Sequence, residues 1–184
     1  MGTIETQVQS KDQYNKREAR FVSGVLQQCQ QDKGLAARLR RADNPATEYQ
    51  SWELLAAYGI DLEREYQRLP FVTVAAAMAK AKAERNGSLT LGRAIAACYE
   101  DGRESSQAKA RLRRLLACSD LQEVSRILRS LFSLIDSKAG QPLDYIRLLG
   151  QLRSFPFNDQ QIKAQWAQEF YGQPVGADAG EGGA

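Results

Sequence analysis

The chain has no histidine among its 184 residues. That absence removes the commonest general base, the commonest transition-metal ligand and every Ser-His-Asp or Cys-His arrangement. Cysteine is scarce. Cys29, Cys98 and Cys118 are far apart, odd in number and set in apolar helical surroundings, which fits buried reduced thiols rather than a disulfide frame or a zinc site. No apolar run approaches the ~20 residues that a membrane span needs. The first residues, MGTIETQVQSKDQ, carry neither the apolar core nor the cleavage site of a signal peptide, so the expectation is a cytoplasmic protein with no membrane partner. The glycine-bounded stretch from Gly87 to Gly92 lacks the lysine and the preceding strand of a phosphate-cradling loop, and reads as the end of one helix and the start of another. Asp61, Glu63 and Glu65 alternate with Arg64 and Arg68, the pattern of a solvated face with local ion pairs rather than of paired catalytic carboxylates. An enzyme is the least favoured class, and neither a metal nor a cofactor is expected.

What remains is 43% hydrophobic, enough for one large or two small domains, with a formal charge of only +3. Apolar residues recur with the helical period and never alternate long enough for a sheet. The first dozen residues are polar and aperiodic and read as a mobile lead-in. Phe21, Val22, Val25, Leu26 and Cys29 then mark a helix that Gly34 ends, and Leu35, Ala36 and Leu39 mark a shorter one. Asp43-Asn44-Pro45 breaks the chain, Thr47 is placed as an N-cap for a helix carrying Trp52 and Leu55, and Gly59 stops that helix. Pro70 is expected to open the next helix, Ser88 to cap the LGRAIAACY helix, and Ser105 and Asp120 to begin two more. Pro142 and Asn158 or Asp159 mark the starts of two last helices. The resulting expectation is an all-α fold of about eight or nine helices in two small bundles, residues 13–100 and 101–171, with a disordered glycine- and alanine-rich tail over 172–184. Trp52 and Trp166 lie on apolar helical faces and read as core or subunit-interface anchors.

The charge is unevenly placed. Between Arg103 and Arg129 the chain carries Arg103, Lys109, Arg111, Arg113, Arg114, Arg126 and Arg129 against three carboxylates. Ala108, Leu112, Leu115 and Leu116 share one helical arc, from which Arg111, Arg113 and Arg114 diverge. Arg126 and Arg129 are neighbours at three-residue spacing, so two adjacent helices can present one basic stripe. Such a stripe suits the phosphates of a polyanion through Coulomb attraction and counterion release, without reading sequence. An arginine-rich helix is as readily a solubilising face whose stems cover neighbouring leucines, and the sequence leaves both open.

Taken in order, ARLRRADNPATEYQSWELLA, LGRAIA, the arginine-rich helix, RILRSLF and the closing IKAQWAQEFYG resemble the CasB family, the small subunit of the type I-E CRISPR Cascade complex. The resemblance begins near Ala37 and covers roughly four fifths of the chain. It implies an all-helical, non-catalytic subunit of two bundles that pairs head-to-tail with a second copy. It also implies contact with the backbone and large subunits, and with guide RNA and target DNA, holding the displaced strand of the R-loop through basic surface residues in antiviral defence. The LRRA motif places Arg40 and Arg41 among the residues expected to touch nucleic acid, and Arg111 and Arg129 fall where relatives are basic. Arg113, Arg114 and Arg126 rest on their own helical geometry. Arg93 is open between a structural bridge and a binding role. Two other readings stand: a scaffold whose arginines meet only acidic protein surfaces, and, lower, a helix-turn-helix DNA-binding regulator, for which no turn of the right length precedes the arginine-rich helix.

Overall fold

The computed structural model describes the backbone over residues 3–172 and side chains over residues 16–172. The expected tail lies outside the described residues from residue 173 onward. Eight α-helices and two short 3-10 segments account for the fold among the described residues: α1 (Thr3–Gln31), α2 (Lys33–Arg41), a 3-10 segment (Pro45–Ser51), α3 (Trp52–Ala57), α4 (Glu65–Lys80), α5 (Leu91–Ala97), a 3-10 turn (Gly102–Glu104), α6 (Ser106–Leu116), α7 (Leu121–Lys138) and α8 (Tyr145–Tyr171). The all-α expectation holds.

The centre is α4. Every residue from Leu69 to Ala79 on it is buried, the mark of a helix packed on all sides rather than on one face. Its small residues, Ala75, Ala76, Ala77 and Ala79, allow neighbours to approach closely, and α1, α2, α7 and α8 all pack against it. One continuous apolar core runs from Phe21 on α1 to Phe170 on α8, spanning both sides of residue 100. Phe21 stands edge-on to both Tyr58 and Phe71, with centroids 5.1 and 4.9 Å apart. Trp166 is fully buried and stacks on Phe155, whereas Trp52 is exposed and lies beneath the Arg68 guanidinium. Cys98 and Cys118 are buried and Cys29 half-buried, all free; burial pushes each thiol above its ordinary value.

Several helix boundaries differ from those expected, each for a local reason. The lead-in is not a separate segment, because α1 already begins at Thr3. Asp32, not Gly34, divides α1 from α2: its carboxylate accepts from the Leu35 N–H as an N-cap. Asn44 caps the 3-10 segment by accepting from Ala46, while the Thr47 hydroxyl turns back to the Arg41 carbonyl at 2.6 Å. Pro70 sits inside α4, which opens at Glu65. Thr90, not Ser88, precedes α5, and Asp144 caps α8. The start expected at Asn158 or Asp159 is present: Asn158 leaves helical geometry at φ −144° and ψ 43°, so the span labelled α8 is two helices joined across a kink just beyond Pro156. Gly59 does end its helix, at a positive φ of 68°.

Candidate nucleic-acid interface

Three elements meet at one end of α4. The last turn of α2 carries Arg40 and Arg41 outward because Leu35, Ala36 and Leu39 occupy its buried face. The last residue of α4 is Lys80, and Arg129 comes from the middle of α7, whose Val124, Leu128, Leu131 and Phe132 face the core. Helix C-termini carry partial negative charge, so basic residues in the last turns of α2 and α4 are favourable where they stand. The Asp43-Asn44-Pro45 turn brings a single carboxylate between them. Asp43 pairs with Lys80 through Oδ2 and with Arg129 Nε at 3.3 Å through Oδ1.

Arg40, Arg41, Lys80 and Arg129 thus line one open groove of about 550 Å3 with Asp43, Asn44, Pro45 and Thr47. Four cations face one carboxylate, and that carboxylate is largely buried, with its side chain 14% exposed. Arg40 and Arg41 are exposed and form no ion pair among the described residues. The arrangement can hold a polyanion along its length. No group of three or more potential metal ligands exists among the described residues.

The structure therefore gathers three of the sequence-selected arginines, Arg40, Arg41 and Arg129, and places the others elsewhere. Arg113 and Arg114 are exposed on α6, which does not line this groove. Arg111 is half-buried, its Nε donating to the Tyr99 hydroxyl at 3.3 Å, so part of its role is to bind α6 to the end of α5. Arg126 is exposed on α7 near Glu123. Glu123 titrates below its usual value, chiefly because the Ser119 N–H and hydroxyl donate to it, with Arg126 adding a smaller pull. Arg93 is exposed and without an ion pair or hydrogen bond among the described residues, so it bridges no carbonyl or carboxylate there.

Sequence reasoning missed Lys80 and Asp43. The signal for Lys80 was available, since it closes an alanine-rich helix where a cation belongs. Asp43 gave none, because it reads only as part of a turn.

The family model for the CRISPR-associated protein Cse2 matches residues 35–171 of the chain. The chain belongs to the Cse2 family. The match runs from α2 to the end of α8 and takes in every residue of the groove.

Solved structures share the fold. A Cse2-family CRISPR-associated protein from Thermus thermophilus is 24% identical, covers 85% of this chain and 98% of its own, and superimposes with a TM-score of 0.67. CasB from M. ruber is 26% identical over 84% of this chain and 92% of its own, with a TM-score of 0.66. A chain of a CRISPR RNA-guided surveillance complex is 23% identical over 87% and 93%, with a TM-score of 0.66. No match was found among curated proteins. No helix among the described residues is long and apolar enough to cross a membrane.

Proposed function

We propose that this Cse2-family chain is a non-catalytic small subunit of a type I-E RNA-guided surveillance complex, Cascade, acting in the cytoplasm. It binds the nucleic-acid backbone without reading sequence and stabilises the displaced strand of the R-loop. The observation that carries the reading is the groove in which Arg40, Arg41, Lys80 and Arg129 surround Asp43. Guide pairing supplies sequence specificity in such complexes, so a subunit need contribute only electrostatics and shape. Backbone contact asks for exposed, unpaired guanidinium groups, and Arg40 and Arg41 are that. Arg113, Arg114 and Arg126 are exposed cations on α6 and α7 that extend the charged surface. The partners are the backbone and large subunits, a second copy arranged head-to-tail, guide RNA and target DNA.

Adding the full chain to a matching complex that lacks its small subunit, on a target duplex, tests this. Chemical reactivity of the displaced strand falls when wild type joins, and rises again with Arg40→Ala, Arg41→Ala and Arg129→Ala combined in a protein that still incorporates. Failure to incorporate overturns the subunit assignment. Incorporation with an unchanged displaced strand leaves a scaffold whose arginines meet protein.

A further inference from the structure

The second feature that draws cations together lies on other elements. Arg93 on α5 and Arg147 on α8 line a groove of about 590 Å3 that shares no residue with the first. Gly92 makes the close approach of α5 and α8 possible here, because a Cβ at that position would stand 2.4 Å from the Trp166 carbonyl oxygen and 2.6 Å from the Phe170 nitrogen. The crossing brings Arg93 alongside the polar face of α8, where Gln161, Gln165 and Gln168 succeed one another at helical spacing.

Arg147 is fixed rather than free. Its Nε donates to Glu169 Oε1 at 2.7 Å, and Glu169 is buried, with its side chain 7% exposed. The same carboxylate accepts from the Gly92 N–H at 3.1 Å and from Gln151 Nε2 at 2.9 Å. Gln151 in turn accepts from Trp166 Nε1 at 2.9 Å. A chain of buried hydrogen bonds therefore runs from the core tryptophan outward and ends on one edge of a guanidinium. The Arg147 side chain is still 47% exposed, and among the described residues its two Nη groups have no partner. That leaves a fork of donors presented at a set angle, the geometry that suits paired oxygens of a phosphate. Thr90 adds a hydroxyl to the same groove, with Oγ1 shielded from solvent and without a hydrogen-bond partner. A buried hydroxyl left unpaired costs free energy that a bound acceptor or donor would return.

We infer that the α5/α8 groove is a second phosphodiester-binding site, in which Arg93 and the pre-set Arg147 fork take backbone oxygens of a single strand and Glu169 is a positioning residue for Arg147. The inference rests on the proposed nucleic-acid role of the chain. The alternative function of Arg147, neutralising Glu169 alone, uses only its Nε edge and gives no reason for an unpaired Arg93 beside it. With two grooves on one molecule, binding at either raises the effective concentration of the strand at the other, so modest sites act together.

Crosslinking in the assembled complex separates the two grooves. A photoreactive benzoylphenylalanine replaces Gln161 in one protein and Thr47 in another, each complex is loaded with target duplex and illuminated, and nuclease digestion of the product tells DNA from RNA. The expected result is a nucleic-acid adduct at position 161. Arg93→Ala lowers its yield by roughly two- to fivefold, the range of an exposed ionic interaction. Arg147→Lys keeps the charge beside Glu169, and so the fold, yet loses the fork and lowers the same yield at an unchanged melting temperature. An adduct at 47 with none at 161, or a 161 adduct made only with protein, overturns the second site while leaving the first groove intact. A 161 adduct without one at 47 supports the second site and counts against the first.

Discussion

The arginines of α6 and those of the α2/α4/α7 groove are opposites in how they are arranged. On α6, Arg111, Arg113 and Arg114 lie within a single turn of sequence, yet the helix turns Arg113 away from the other two, and Arg111 is half-buried against Tyr99. In the groove, the Arg40-Arg41 pair, Lys80 and Arg129 come from three stretches far apart in sequence, and three packed elements deliver them to one place. Density along a chain is set by the sequence alone, whereas density in space depends on which helix faces are buried. The difference teaches that a charge cluster read along a helix is an upper limit on what the folded surface presents.

The sharpest way to break this comparison is the salt dependence of binding to a short single strand. Removing Arg40, Arg41 and Arg129 together is expected to lower the log-log slope by roughly 2, at about 0.7 for each phosphate no longer neutralised. Replacing Arg111, Arg113 and Arg114 is expected to lower it by less than about 1 on the same scale. Equal falls would show that α6 works as hard as the groove and would dissolve the distinction.

Asp43 tests the electrostatic side of the same groove. Asp43→Asn removes the single carboxylate among four cations and is expected to tighten strand binding by roughly two- to fivefold at low salt, an effect that added salt erases. Weaker binding from that variant would mean that Asp43 is needed to aim Lys80 and Arg129 rather than merely to offset them.

Alkaline pH gives the smallest effect and bears on the support behind Lys80. Tyr145 lines the neighbouring cavity that Lys80 also lines, and its phenol is pushed up to about 12, mainly by burial and secondarily by Asp136. The folded value lies above the unfolded one of about 10, so the unfolded chain loses its proton first. Stability tied to Tyr145 is therefore full below about pH 10 and declines as pH rises towards about 12. Tyr145→Phe is expected to remove on the order of 1 kcal/mol of the fall between about pH 9 and about pH 11 in denaturant titrations. An identical fall in both proteins would show that Tyr145 is not held in apolar surroundings, and a matching loss of strand binding in wild type alone would tie that cavity to the groove.

Much of the fold could be read from the residues because helix periodicity is a local property. The arcs of Leu121, Val124, Leu128 and Ile135 on α7 and of Ala108, Leu112 and Leu115 on α6 are buried as their spacing requires. Ser105 and Asp120 cap the helices that follow them, since a cap is an interaction with the next turn. The misplaced boundaries were those where two local solutions competed. Asn44 and Thr47 are both able to cap, and the hydroxyl went to the Arg41 carbonyl. At Asn158 the expected break is present, and Phe155 before it and Ile162, Trp166 and Phe170 after it are all buried, which keeps both helices of α8 in one core.

The sequence by itself settled that this chain is helical, that it has no histidine-based chemistry to offer, and that its arginines sit opposite leucines, because each of these follows from residue identity and spacing within a few turns. Tertiary structure alone decided which cations meet. Lys80 and Asp43 joined Arg40, Arg41 and Arg129 because α2, α4 and α7 pack at one end of a helix buried on every side. Arg147 faces its groove at a fixed angle because a buried carboxylate beyond the kink of α8 holds it there. Such convergence follows from the packing of apolar surface between segments distant in sequence, and no window along the chain contains it.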